Sequence, residues 1–338
     1  MAAVCRLFYL LLLSTFVALS GCDQSQSTSE KSPPQQTSVE DKQVLLALFP
    51  QKVSDSGWNQ AGFTGVQTLS NELELNFIYL ESVPFIDYEA FSALVRQQIE
   101  VNNVDIVMAH GGQYIDPVSR LARNFPRVNF IVNTNCPGNN ANMGCLSFDW
   151  RELGLLTGTL AALKSETGKI GFIGGMQLPI LEQMATGMRV GALDINPDVQ
   201  LFEHYLTSWT DEVQAMAIAE QMLADGVDVI SVNADPASRV IYPLLEKKGV
   251  AVIGRQLENY DSPPSTLLAN VQLYTPRLIQ YGFNQILKGR WQGKLYQFGI
   301  KDQVQEIHLE PKALTPEQAQ EFKQVYQKVV LGHLEVER

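Results

Sequence analysis

The sequence predicts an α/β protein built as two doubly wound parallel-sheet lobes joined by a hinge, and three observations carry that expectation. From Gln43 onward, short apolar runs alternate with longer stretches of helical periodicity, the pattern of parallel β-α-β units. The alternation restarts after Trp150, so the chain holds two successive units of similar size. The elements after Gln256 are too few for a third domain, so they are expected to join the first two lobes, with the chain crossing between them.

In the first unit, VLLALF (44–49) reads as a buried strand and Trp58 to Leu69 as a helix. LELNFIYL (73–80) is a strand, 88–101 an amphipathic helix and VDIVMAH (104–110) a strand. A helix over Pro117–Asn124 and the strand VNFIVNT (128–134) follow. The second unit opens with a helix from about Glu152 to Lys164, then the strand KIGFIGG (169–175), a helix over 180–194 and the strand VQLFEHYL (199–206). A helix over 211–225, the strand VDVISVNA (227–234), a helix over 238–248 and the strand VAVIGRQ (250–256) complete it. Afterwards come a strand (265–273), a helix (275–288), a strand pair around 295–300 and 306–309, and a last helix from Pro316 to Leu331. The first lobe is expected to span 43–150 plus about 257–290, and the second 151–256 plus about 291–338.

The N-terminus gives an address. Arg6 precedes a mostly apolar run from Leu7 to Leu19 that is well short of the roughly 20 apolar residues needed to span a bilayer. The run ends in Leu19-Ser20-Gly21-Cys22, which resembles the lipobox of bacterial lipoproteins and implies cleavage after residue 21 and lipidation of Cys22. Asp23 resembles an inner-membrane retention signal, so the expected location is the cell membrane, lipid-anchored, facing the periplasm or the extracellular side. Residues 22–42 are Ser-, Gln-, Thr- and Pro-rich and cannot bury enough apolar surface to fold, which predicts a disordered tether. About 20 flexible residues reach roughly 25 Å.

Charge and cysteine usage narrow the class. The chain carries 25 Lys and Arg against 36 Asp and Glu, which argues against nucleic acid as a partner. Beyond Cys22 only Cys136 and Cys145 follow, framing PGNNANMG. A local disulfide of structural role is expected outside the cytoplasm, with metal binding the weaker alternative. The four histidines, His110, His204, His308 and His333, are dispersed without metal-type spacing. There is no G-x-S-x-G and no P-loop, and GFIGG lacks dinucleotide-site spacing. An enzyme is therefore not expected, and neither is a metal or cofactor.

In open parallel sheets ligands bind beyond the carboxyl ends of the strands. SDSGWNQAGFTG (54–65) follows the first strand, where Asp55 reads as a helix cap or a ligand contact, Trp58 as a core residue or a π face, and Asn59 as a donor and acceptor. HGGQYID (110–116) follows the third strand. Gly111 and Gly112 let a ligand approach backbone N–H groups, Tyr114 and Asp116 are candidate base contacts, and His110 is a ligand contact or a structural histidine. Asp116 is alternatively a cap for the helix begun by Pro117. Trp209, in the turn SWTD (208–211), gives the second lobe its own aromatic ring. Trp58 and Trp209 on opposite cleft walls would sandwich a heterocycle as the lobes close.

DSGWN followed by Gly62 and Gly65 resembles the D-x-G-[FW]-N element of the basic membrane protein family, the PnrA-like nucleoside-binding lipoproteins. KIGFIGGMQLPILEQMATGMRVGALDINPDV (169–199) is similar to that family's most recognisable stretch, including the spaced pair Gly187 and Gly191. SWTD resembles its Gly-Ser-[FW]-x-Asp turn, and ADGVDVISVNA and VAVIG its last two strands of the second lobe. The likeness covers nearly the whole chain after the signal. It implies a type I periplasmic-binding-protein fold, a small-molecule ligand that is often a purine nucleoside, and an ABC permease as partner at the membrane. Asp116 matches a family Asp. The family's ribose-gripping Asp is replaced in Arg255-Gln256-Leu257-Glu258, and its Lys falls near Leu273. Gln256 keeps hydrogen-bonding capacity without charge, while NADPAS (233–238) adds Asn233 and Asp235. These changes shift the expected ligand from an unmodified nucleoside toward a free purine-like base, a flavin-like ring or another small polar molecule. The alternative role is a ligand-sensing receptor that docks onto a membrane signalling protein.

Overall fold

The computed structural model describes residues 42–55, 57–234, 237–257 and 263–333. The signal segment, the tether as far as Asp41, Cys22 and Asp235 lie outside the described residues. From Lys42 onward the chain is one compact unit.

The chain begins with β1 (Val44–Leu48), α1 (Trp58–Glu72), β2 (Asn76–Leu80), α2 (Tyr88–Asn102), β3 (Ile106–Ala109), α3 (Ile115–Ala122), β4 (Asn129–Asn133) and β5 (Met143–Phe148). Next come α4 (Trp150–Lys164), β6 (Lys169–Met176), α5 (Pro179–Ile195), β7 (Gln200–Leu206), α6 (Glu212–Ala224), β8 (Val229–Asn233), α7 (Ser238–Lys248), β9 (Ala251–Arg255) and β10 (Leu267–Leu273). The chain ends with α8 (Thr275–Leu287), β11 (Leu295–Phe298), β12 (Gln305–Leu309) and α9 (Pro316–Val330). The two six-stranded sheets run β11-β5-β4-β3-β1-β2 and β12-β10-β9-β8-β6-β7. The first is parallel throughout, and the second is parallel except for the β10–β12 pair.

Period-two alternation decides where each strand residue goes. Leu45, Ala47, Ile106 and Met108 enter one core while Leu46, Leu48, Val107 and Ala109 enter another on the opposite face of the first sheet. Both faces are buried, so these strands read as continuous apolar runs. The first of these cores continues through α4 and α5 into the second sheet, where Ile170, Phe172, Val229 and Ile253 join it.

Helix α4 is buried on nearly every side because it packs against both α5 and α9. Its Gly154 and Gly158 lie against the backbone of Met184 and Met188, and Gly187 and Gly191 of α5 lie against that of Arg151 and Leu155. A Cβ at any of the four would sit 1.9–2.2 Å from a carbonyl oxygen of the partner helix. The spaced glycines of 169–199 thus set a backbone-to-backbone helix contact.

The late elements depart from expectation. β10 pairs with β9 and belongs to the second sheet, although 257–290 was assigned to the first lobe. β11 pairs with β5 and belongs to the first sheet, although 291–338 was assigned to the second lobe. The strands of 295–300 and 306–309 therefore do not pair with each other; β11 and β12 close one edge of each sheet. Apolar alternation marks a strand but not the edge that completes its hydrogen bonds, and both sheets offered one. β5 itself carried no strand signal, since Met-Gly-Cys opens it inside the cysteine loop, yet all six of its residues are buried. Cys136 and Cys145 are disulfide-bonded with their Cα atoms 5.6 Å apart, as the spacing suggested. Asn142 holds the same loop by donating to the carbonyls of Ala122, Phe125 and Val128.

Three crossings connect the lobes: Phe148 to Trp150, Leu273 to Thr275 and Phe298 to Ile300. They are bonded together. Asp149 N–H donates to Phe298 O at 2.8 Å, and Tyr274 N–H donates to Val304 O at 2.7 Å. The Glu152 carboxylate accepts from Ile300 N–H at 2.6 Å and from Gln305 Nε2 at 2.8 Å. Among the described residues no helix is long and apolar enough to cross a membrane.

Candidate ligand-binding site

The carboxyl edges of the two sheets meet directly. Asn135, just after β4, donates through Nδ2 to Gln183 Oε1 on the first turns of α5 at 3.2 Å. Neither residue was expected there. Their polar character and their places after β4 and β6 were the available signal.

On the first lobe the site is built around the start of α1. Asp55 accepts from the backbone N–H groups of Gly57, Asn59 and Gln60 and from Asn59 Nδ2, at 2.7–3.1 Å. Burial alone would raise its pKa, but these four donors outweigh it and hold the carboxyl below the usual value. Asp55 is therefore the cap of α1, with its oxygens committed to that turn. Asn59 is buried, and its Oδ1 has no hydrogen-bond partner among the described residues.

Trp58 opens α1 half-buried. One face of its indole stacks on the His110 imidazole, with centroids 4.4 Å apart and planes inclined by 25°. His110 lies just after β3 and is fully buried, as expected of the structural histidine rather than of the ligand contact, the two readings its position left open. Its Nε2 lies 2.8 Å from Trp58 O and its Nδ1 lies 3.0 Å from Asn133 Nδ2. A carbonyl only accepts and an amide NH2 only donates, so the proton sits on Nε2 and Nδ1 accepts. Burial pushes its pKa down to about 4, against smaller upward effects of the Trp58 hydrogen bond and the Asp55 charge, so the ring is neutral. Asn133 was missed, although it ends a strand at the same edge.

Gly111 has φ +130°, a backbone conformation that side-chain-bearing residues rarely adopt, and it turns the chain from β3 toward α3. Gly112 follows beside Thr134. Tyr114 is not a ligand contact: it is fully buried, donates its hydroxyl to Val83 O at 3.0 Å, and packs against Phe85 and Phe91. The tight turn after Gly111 points its ring inward rather than toward the cleft. Asp116 is exposed in the first turn of α3, 3.9 Å from Arg120, and makes no cap bond to the backbone.

On the second lobe Trp209 is half-buried in the β7–α6 turn, where Asp211 caps α6 by accepting from Gln214 N–H. Its ring lies against Gly175 at the end of β6, so closely that a Cβ there would fall 2.2 Å from ring carbons. Trp209 O accepts from Ala237 N–H, tying the turn to the start of α7. Asn233, at the end of β8, is buried with Nδ2 3.4 Å from Met184 Sδ. Gln256, directly after β9, has φ +50° and accepts from Arg255 Nη1 at 3.2 Å, so these two side chains of the replaced segment bond to each other. Among the described residues no group of acids, histidines and cysteines is placed to hold a metal ion.

Comparison with known proteins agrees with this architecture. The chain is 22% identical over 320 residues to the transcriptional activator protein Med of Bacillus subtilis, covering 95% of this chain and 94% of that one. It is 28% identical over 222 residues to the ABC transporter nucleoside-binding protein of Lactococcus lactis, covering 64% and 61%. A solute-binding protein of an ABC transporter system from Aeropyrum pernix superposes with a TM-score of 0.70 at 18% identity, over 87% of this chain and 92% of that chain. That likeness establishes the type I periplasmic-binding-protein fold. The family model for PnrA-like ABC transporter substrate-binding proteins matches residues 42–338, and the chain belongs to that family.

Proposed function

We propose that this protein captures a small planar heterocycle of the purine class between its lobes and delivers it to an ABC importer while tethered to the membrane through Cys22. The observation that carries this reading is one half-buried tryptophan on each lobe, at the carboxyl edge of each sheet, with one face seated on its own lobe. Trp58 stacks on His110 and the Trp209 ring lies against Gly175, and each half-buried ring is proposed to turn its other face to a flat ligand. Stacked aromatic pairs contribute about 0.5–1.5 kcal/mol each beyond the area they bury. Asn59 Oδ1 supports a ligand with ring N–H donors, because a buried acceptor left alone costs about 1–3 kcal/mol that such a donor would recover. Gly111, Gly112, Asp116, Asn233, Asp235 and Gln256 remain proposed polar contacts. The nucleoside-binding relative favours the same ligand class. Arg255 and Gln256 engage each other where the family has its ribose-gripping Asp, which favours a base-like ligand over an intact nucleoside.

Calorimetric titration with guanine, guanosine and riboflavin tests the reading. Trp58→Ala and Trp209→Ala are each expected to weaken ring binding at least tenfold with the fold intact; unchanged affinity in both places the site elsewhere. The tether makes a separate prediction. Metabolic labelling with a radioactive fatty acid is expected to mark the wild type and not Cys22→Ala, which should leave the membrane fraction; equal retention without label would overturn lipid anchoring.

A further inference from the structure

We propose that His110 is a positioning residue of this site, holding Trp58 as a one-faced platform so that only a single ring can stack on it from the cleft. The inference deepens the proposed function and rests on Trp58 as a ligand contact. Four neighbours fix the imidazole. Asn133 Nδ2 donates to Nδ1, and Nε2–H donates to the backbone carbonyl of Trp58, so ring orientation and tautomer are set together. Gly62 of α1 lies under the ring, where a Cβ would come within 2.4–2.6 Å of imidazole atoms. Phe49 packs at 5.5 Å between centroids. The imidazole therefore cannot tip away from Trp58 without breaking two hydrogen bonds and moving α1.

The arrangement also explains why a polar ring stands where a phenyl ring would satisfy packing. A phenyl ring stacks but removes the second hydrogen bond at Trp58 O and the acceptor that faces Asn133 Nδ2. Trp58 is the first residue of α1, and its carbonyl is engaged by His110, which directly follows β3. His110 thus couples the start of the helix that carries the platform to the strand beneath it. The neutral state suits this task, because an imidazolium would lose its acceptor at Nδ1 and face the Asn133 amide with two N–H groups.

Two substitutions separate the components. His110→Phe keeps a ring under Trp58 and loses both hydrogen bonds; His110→Gln keeps a donor toward Trp58 O and loses the stack. Asn133→Ala retains the imidazole and removes its orienting bond, which keeps the test open should either His110 variant fail to fold. The first readout is acrylamide quenching of Trp58 fluorescence, isolated by subtracting the Trp58→Phe protein in each background. The second is the affinity for guanine, guanosine and riboflavin. Quenching of Trp58 is expected to rise at least twofold and ring affinity to fall at least fivefold in both His110 variants, with a smaller change of the same sign in Asn133→Ala. Lowered thermal stability with quenching and affinity unchanged would make His110 a packing residue and overturn the inference. Raised quenching with an affinity that Trp58→Ala also leaves untouched would retain the positioning and remove Trp58 from the ligand site.

Discussion

Trp58 and Tyr114 show how similar residues separate at the scale of a single side chain. Both are aromatic, both follow a strand of the first sheet, and both were expected to face the ligand. Trp58 starts a helix whose preceding turn is closed by Asp55, so its ring leaves the helix end along the sheet edge and remains half-buried. Tyr114 ends a short turn that begins at Gly111, and its hydroxyl reaches Val83 O inside the first lobe. The sequence located both at the correct edge because strand ends were legible from apolar runs. It did not give the direction of Tyr114, which depends on the φ of Gly111 and on a carbonyl more than 30 residues away. His110 was unresolved for the same reason: the partners that bury it, Asn133 and Trp58, come from other elements. Asp55 and Asp211 were legible as caps because a cap and its donors lie within a few residues of each other.

Elements were more readable than side chains where their signal was local. The α-helices follow their periodicity to within a few residues. The sheet edges did not follow, since strand pairing between β9 and β10 or between β5 and β11 is a long-range choice. The glycines of α4 and α5 lie between these cases: the spacing is visible in the sequence, and the partner helix is not. Their packing makes a prediction. Gly191→Ala would place a methyl group 2.0 Å from Leu155 O, which requires the helices to separate. Overpacking of this kind costs about 1–3 kcal/mol, and a backbone contact leaves no flexible side chain to yield. Gly249→Ala is the comparison, because no atom lies within 4 Å of its added Cβ and the cost there is confined to a φ of +70°. In urea unfolding, Gly191→Ala is expected to lose at least 2 kcal/mol and to lose more than Gly249→Ala. Equal losses would show that the α4–α5 contact relaxes without cost.

At the scale of the whole molecule, the lobes are joined through Glu152, which opens α4 beside the first crossing and accepts hydrogen bonds from the third crossing and from β12. Burial pushes its carboxyl up to about 7, opposed by the Ile300 and Gln305 hydrogen bonds and reinforced by the negative charges of Asp149 and Asp302. Tyr326 of α9 faces the same group, and its own pKa is raised by burial and by the charges of Glu306 and Glu152. A carboxyl whose folded pKa lies above its value of 4.5 binds its proton more tightly when folded. Its contribution to stability is present at low pH and is lost as pH rises from about 4.5 through about 7. His110 pulls the other way: its folded pKa of about 4 lies below 6.5, so its contribution falls away as pH drops through that window. The two effects oppose each other in the wild type and are separated by substitution. Glu152→Gln removes the titration while keeping an oxygen that accepts from Ile300 N–H, so the difference between wild type and variant isolates Glu152. That difference is expected to shift by about 2–3 kcal/mol against the wild type between pH 5 and pH 8 in urea unfolding monitored at matched ionic strength. A pH-independent difference would mean that the carboxyl ionises freely and that the crossings are held by their backbone hydrogen bonds alone.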